Sequence, residues 1–307
     1  MNSPGRHGAL YGAGAYLLWG VFPLYFRLLE FAGAFEVVAH RILWSLLVCG
    51  IALTVARQWA DVRAAVTSGR TVGILGLAAL FLAVNWGTYI YAVNAGHVVE
   101  ASLGYFINPL VTVLLGVVVL RERLRPAQWV AVGLGAVSVA VLTIDYGRPP
   151  VIALTLAATF GVYGLLKNRV GVTVGALASL STETLVLAPV ALVAVGVLQA
   201  NGDGHLTDDA PWNALLLASA GIVTVVPLLL FAAAARRVPL STMGLLQYVT
   251  PVLQFLCGVV VFGETMPASR WAGFAIVWVA LAVMTVDTLR TARRRARAVP
   301  SPDPLPA

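Results

Sequence analysis

Apolar residues recur along this chain in about ten runs of 17–24, separated by short polar breaks. At ~1.5 Å per residue, each run is long enough to cross a ~30 Å hydrocarbon core as a helix. The runs fall near residues 8–28, 35–56, 71–93, 99–120, 127–145, 150–166, 175–198, 213–235, 240–262 and 268–288. Only 11% of the residues are charged, against about 25% in a soluble domain. The expected fold is therefore all-α, a polytopic membrane protein with ten transmembrane helices and no globular domain outside the bilayer. The first run is interrupted by Trp19, Pro23 and Tyr25 and exceeds a removable signal core, so it reads as a permanent span. Cys49 and Cys257 both fall inside runs, which suits packing better than a disulfide framework or a zinc site.

The basic residues set an orientation. Cytoplasmic loops of membrane proteins collect Lys and Arg. With the N-terminus inside, those segments hold Arg6, Arg57, Arg63, Arg70, Arg121, Arg123, Arg125, Lys167, Arg169, Arg236, Arg237 and the Arg290–Arg297 cluster, leaving Arg27, Arg148 and Arg270 outside. Both termini are expected in the cytoplasm. The net charge of +7 is explained by topology, so no nucleic-acid partner is expected; the partners expected are membrane lipid and a small-molecule substrate.

The chain also repeats itself. "GVVVLRER" at 116–123 returns as "GVVVFGET" at 258–265, and a constant offset of 142 (250 − 108) pairs Pro109 with Pro251, Glu122 with Glu264, Trp129 with Trp271 and Asp145 with Asp287. "WGVFPL" at 19–24 similarly resembles "FGVYGL" at 160–165. The chain divides into five-span units at 8–146 and 150–289, with a basic, Pro-rich tail at 290–307. Five is odd, so the second unit enters the membrane upside down. That explains why the second GVVV phrase lacks arginines, because its loop faces outward. Inverted repeats recur among secondary transporters, whose binding site lies near the midplane where the repeats meet.

Polar residues inside the runs mark that seam. Tyr105, Asn108 and Thr112 share one face of span four. Their counterparts in span nine are Gln247, Thr250 and Gln254, and a two-fold axis in the membrane plane would turn the stripes toward each other. Pro109 and Pro251 strip a donor from the carbonyls four residues earlier and are expected to kink their helices. Asn85, Trp86 and Tyr89 add a polar and aromatic surface from span three. His40 and Arg41 lie within span two, and Glu183 occupies the position in span seven equivalent to Arg41. A charge at the bilayer centre costs ~2.5–3.5 kcal/mol on the mildest scale, so each should turn inward to a partner. One reading gives them a structural ion pair or a bond to freed carbonyls; the sharper one makes His40 or Glu183 a proton-coupling group or an anchor for a polar substrate. Each polar residue could also be interhelical glue, worth about 0.6–2 kcal/mol. Glu100, at the start of span four, suits a helix N-terminus.

No HExxH, GxSxG or phosphate-cradling glycine loop occurs, so no enzyme activity and no cofactor are expected. The "NGDGHLTDD" loop at 201–209 matches no calcium-loop spacing, and no metal is assigned to it.

"AHRILWS" at 39–45, "NW" at 85–86, "EASLGYFINPL" at 100–110, "ETLVLAP" at 183–189, "GIVTVVPL" at 221–228 and "LSTMGLLQY" at 240–248 resemble the RarD-type proteins of the EamA branch of the drug/metabolite transporter superfamily, over about residues 8–290. The resemblance implies two EamA units, a bacterial inner-membrane location and a permease or exporter linked with chloramphenicol sensitivity. It also implies that spans one to four and six to nine surround the cavity, with five and ten outside it. The expected function is secondary transport of a small amphipathic metabolite or drug by alternating access, with proton-driven export favoured. Uptake, exchange or a non-transporting sensor or scaffold are the alternatives.

Overall fold

A computed structural model of the chain describes residues 3–121, 123–170, 174–207, 210–235, 237–238 and 240–297. Glu122, Arg236, part of the 201–209 loop and residues 298–307 of the tail lie outside the described residues. Among those described, all regular structure is helical. Span one becomes α1 (Ser3–Gly20) and α2 (Phe22–Arg27), and span two α3 (Ala34–Ala56). A short helix, α4 (Trp59–Thr67), precedes span three, α5 (Gly69–Asn94), and span four, α6 (Val98–Leu120). Then follow α7 (Pro126–Tyr146), α8 (Val151–Val170), α9 (Ala176–Asn201) and α10 (Pro211–Ala235). Span nine is divided into α11 (Leu240–Leu246), α12 (Val249–Leu256) and a π-turn at Cys257–Val261, and α13 (Ala268–Arg297) completes the set.

Nine of the described helices are long and apolar enough to cross a bilayer, and the interrupted span nine supplies a shorter apolar segment. Large apolar side chains such as Leu47, Ile51, Val55, Val118 and Val193 are exposed along them. In water such surface would be a liability; lipid accepts it.

Two spans are broken beside prolines, the first at Pro23 and the ninth where Pro251 is expected to kink it. Pro23 cannot donate to the Trp19 carbonyl, and the chain turns at Val21 between α1 and α2. Pro251 likewise leaves the Gln247 carbonyl without its donor, and span nine breaks at Gln247–Tyr248. Pro109, by contrast, sits within a continuous α6. Span six also runs further than expected, to Val170, so Lys167 belongs to a helix and not to a loop.

The packing obeys a two-fold relation. The fifth helices of the two units, α7 and α13, form a long antiparallel pair. Asp145 pairs with Arg270 at one end (3.0 Å) and Asp287 with Arg125 at the other (2.7 Å), and Ser138 donates to the Gly273 carbonyl between them (2.7 Å). The second helices, α3 and α9, pack on each other, as do α6 and α12. The first helices are exchanged: α1 packs on α10 and α12, while α8 packs on α5 and α6. The two sequence repeats are therefore interlocked, not side by side. Contiguous apolar clusters join α2, α3 and α5 around Phe26, Leu29 and Ile90, and join α6, α7 and α13 around Leu103, Leu142 and Phe274.

Glycine lets two of these crossings close. A Cβ on Gly104 would stand 2.8 Å from the Ala153 carbonyl oxygen, and one on Gly221 would stand 2.4 Å from the Trp44 carbonyl carbon. The second crossing holds α10 against α3 next to the buried charge described below. Cys49 and Cys257 are free and buried.

Candidate substrate site

Arg41 is almost fully covered on α3, yet no carboxylate lies within 4 Å of it among the described residues. Its Nε donates to the Thr224 hydroxyl on α10 at 2.7 Å, and that hydroxyl donates in turn to the Ala220 carbonyl. The rest of the guanidinium faces rings. Its central carbon lies 4.0 Å from the Trp86 ring centroid, 5.3 Å from Phe26 and 5.6 Å from Phe22, distances at which cations are attracted to the ring face. Tyr25, Tyr89 and Tyr105 complete the surroundings. Tyr89 and Tyr105 stack edge to face at 5.7 Å, and Tyr105 donates to Asn85 Oδ1 at 3.3 Å. Asn85 also donates across the unit boundary to the Leu156 carbonyl and the Thr159 hydroxyl, both at 3.0 Å. Tyr105, Asn85, Trp86, Tyr89 and Arg41 thus come together in one place.

Glu183 stands at the equivalent position in the other unit, but it does not pair with Arg41. The cation that reaches it is Lys167, one turn from the end of α8, at 2.5 Å. Ser179 donates to the same carboxylate at 3.0 Å and Tyr163 at 3.3 Å, and Lys167 also contacts the Ser179 hydroxyl. Between Glu183 and Trp86 lies a slot of only about 10 Å³, room for one water at most.

The two polar stripes do not meet as the two-fold argument expects. Thr250 donates to the Tyr16 carbonyl at 2.9 Å, and Gln254 to the Trp19 carbonyl at 3.1 Å. Both are held by α1, because the exchanged packing puts α1 and not α6 against that face. Gln254 thereby serves the carbonyl that Pro23 leaves free. Their counterparts on α6 differ: Asn108 is half-buried with its Oδ1 unbonded, and Thr112 is exposed. Gln247 is half-buried at the break in span nine. Two of the three positions differ between the stripes: Thr250 and Gln254 are bonded to α1 while Asn108 is half-buried and Thr112 exposed, although Gln254 Oε1, like Asn108 Oδ1, has no partner.

Glu36, its partner His205 and the reach of Glu264 escaped the sequence reading. Glu36, buried at the start of α3, accepts from the His205 backbone N–H and contacts its Nδ1, both at 2.7 Å. His40 Nε2 has no hydrogen-bond partner and approaches Glu36 Oε1 only to 3.9 Å. A chain of titratable groups thus runs from the half-exposed His205 through Glu36 to the buried His40. Glu264 reaches the other unit, accepting the Val98 and Val99 N–H groups at 2.6 and 3.0 Å, so it caps α6. Glu100 does the same for α8, accepting from Ile152 N–H and Arg148 at 3.0 Å each.

Burial lifts the Glu264 carboxyl above the usual carboxylate range, against the opposing pull of the two amides, His97 and Arg270. With its folded pKa above the unfolded value, the cap contributes most at acid pH and less as pH rises through the lifted value. Glu264→Gln, which keeps an acceptor but no charge, should gain stability relative to the parent as pH rises from acid to neutral. Glu264→Ala bares both amides and should cost about 1–2 kcal/mol at acid pH and less as pH rises through the lifted value. Thermal unfolding of both variants across that range checks the pair of outcomes.

The sequence profile of the EamA-like transporter family matches twice, at residues 6–144 and 149–286. A protein called RarD in Streptomyces exfoliatus is 55% identical over 293 residues, covering 95% of this chain and 92% of that one. A protein of the same name in Escherichia coli (strain K12) is 40% identical over 292 residues, covering 95% and 98%. A solved crystal structure superposes with a TM-score of 0.61 at 21% identity, covering 92% of this chain and 98% of that one, which shows a common fold.

Proposed function

The chain belongs to the EamA-like transporter family and is a multi-pass membrane transporter; from that premise we propose that it is a secondary carrier for a small amphipathic compound, working by alternating access in a bacterial inner membrane with both termini cytoplasmic. The observation that carries the mechanism is the unequal treatment of equivalent positions. Thr250 and Gln254 are sealed onto α1, while Asn108 is half-buried and Thr112 exposed. Glu264 ties its loop to α6 on the sealed side. In the proposed orientation the sealed half is outer, so this conformation is closed to the outside. Exchange of the two arrangements between the units would open it there, the behaviour expected of inverted repeats. Because the first helices are exchanged, the moving bodies would be α5, α6 and α8 against α1, α10 and α12, and not the two sequence repeats themselves.

Proton coupling fits the His205–Glu36–His40 chain better than it fits Glu183, which already holds Lys167. Export is the favoured direction. The experiment has two stages. Metabolites inside and outside cells lacking or overproducing the protein identify the cargo, and proteoliposome flux of that cargo then tests the site. Tyr105→Ala, Asn108→Ala and Gln247→Ala should each slow flux about tenfold, the equivalent of one lost contact of ~1.4 kcal/mol. Parental flux in all three would remove the cavity from this seam. Glu36→Gln and His40→Gln should uncouple flux from an imposed pH gradient while Glu183→Gln stays responsive; continued coupling in the first two would rule that relay out.

A further inference from the structure

The two charges at equivalent positions in the units are treated differently, and the difference points to a ligand. Glu183 has its counter-charge in the protein, Lys167 at 2.5 Å. Among the described residues Arg41 has none: one of its nitrogens is bonded to a neutral hydroxyl, and its terminal Nη atoms donate to no protein group there. A guanidinium carries five donors in a planar fork, so most of its capacity is unspent. Beside it, the buried Tyr89 hydroxyl is also without a partner. A covered, uncompensated cation is costly to a fold, and six aromatic rings around it supply no anion. Thr224, the one acceptor among the described residues, is a hydroxyl on the neighbouring α10, where a carboxylate would have neutralised the site.

We propose that Arg41, backed by Trp86, Phe26 and Tyr89, is the recognition group for a carboxylate carried by the transported compound, which is accordingly a monocarboxylate on a compact apolar or aromatic body. This rests on the reading of the protein as a carrier and names its substrate class. The two oxygens of a carboxylate match the two Nη groups in a forked, parallel pair of hydrogen bonds. The Tyr89 hydroxyl, a donor without an acceptor, adds a third. A dianionic phosphate would call for a second cation, and Lys167 is committed to Glu183. A surround of rings strengthens the charge pair; the slot beside Trp86 holds only about 10 Å³ in this conformation, so room for the apolar body opens with the exchange of arrangements proposed above. Outer closure with the Arg41 site still within the bundle is the geometry in which a bound anion would be carried without meeting lipid.

The test uses the purified full chain in nanodiscs and a thermal-shift titration with benzoate, its uncharged isostere benzamide and phenyl phosphate. Benzoate is expected to raise the unfolding midpoint of the parent protein, benzamide to do so far less, and Arg41→Gln to abolish the difference. Arg41→Lys keeps the charge without the fork and should weaken benzoate binding by about tenfold or more; it also serves if Arg41→Gln does not fold. Because the parent guanidinium is uncompensated, Arg41→Gln should unfold no earlier than the parent in the absence of ligand, an outcome a merely structural arginine would not give. Equal protection by benzamide, protection by phenyl phosphate alone, no protection by benzoate at millimolar concentration, or benzoate protection unchanged in Arg41→Gln would each overturn the assignment. Failure of the carrier reading looks different: benzoate binds through Arg41, yet no compound is moved across a bilayer.

Discussion

Lys167→Met alone is expected to destabilise the folded protein by about 3 kcal/mol, and Lys167→Met combined with Glu183→Leu to recover most of that loss. The single change removes the one cation that, among the described residues, reaches the buried Glu183 carboxylate, and breaking one side of a buried pair costs about 3–5 kcal/mol because the other charge is left uncompensated. The lower end applies here because the Lys167 side chain is 26% exposed, so water can reach the vacated site. Removing both charges removes the burial cost as well as the attraction, which is why the double variant recovers. Unfolding midpoints of the two singles and the double, read as a cycle, give the coupling directly. The same double variant also separates the two readings of Glu183. A stable protein that still transports would make the pair structural, whereas a stable protein that has lost transport would give Glu183 a part in the cycle.

Gly221→Ala should be nearly as damaging, although it adds one methyl group. The new Cβ would lie 2.4 Å from the Trp44 carbonyl carbon and 2.5 Å from its oxygen. Those are backbone atoms that cannot rotate away, so α10 and α3 must move apart. Overpacking of this kind typically costs about 1–3 kcal/mol, and the displacement also stretches the 2.7 Å bond from Arg41 to Thr224, one turn along α10. Gly50→Ala on the same α3 meets nothing within 4 Å and should stabilise by about 0.5–1 kcal/mol through helix propensity. Equal midpoints for the two variants would show that the α3–α10 crossing is looser than described.

The spans were legible because hydrocarbon leaves the backbone no alternative: every N–H and C=O must be satisfied within the segment. The inversion was legible because the loop arginines follow it. What was hidden depends on which helix lies beside which. Pro109 and Pro251 are equivalent in sequence, yet α6 continues and span nine breaks. The arginine and the glutamate share a register, which shows that each needs a partner but not which one. Lys167 lies beyond the apparent end of its apolar run, and a flexible four-carbon stem let it reach Glu183 first. Glu36 and His205 are separated by 169 positions, and no periodicity links a loop to a helix start. The Gln254–Trp19 contact did leave a trace: Pro23 announces a free carbonyl at Trp19, and a buried glutamine is a natural donor for it.

The interlocked packing requires the two units to cross the membrane in opposite directions. A parent with Cys49 and Cys257 replaced by Ala, carrying either Arg123→Cys after α6 or Thr265→Cys after the π-turn, tests this in intact cells with a membrane-impermeant thiol reagent. Both positions are exposed. The inverted arrangement requires Thr265→Cys to label from outside and Arg123→Cys to label only after the cells are opened. Labelling of both from the same compartment would contradict it.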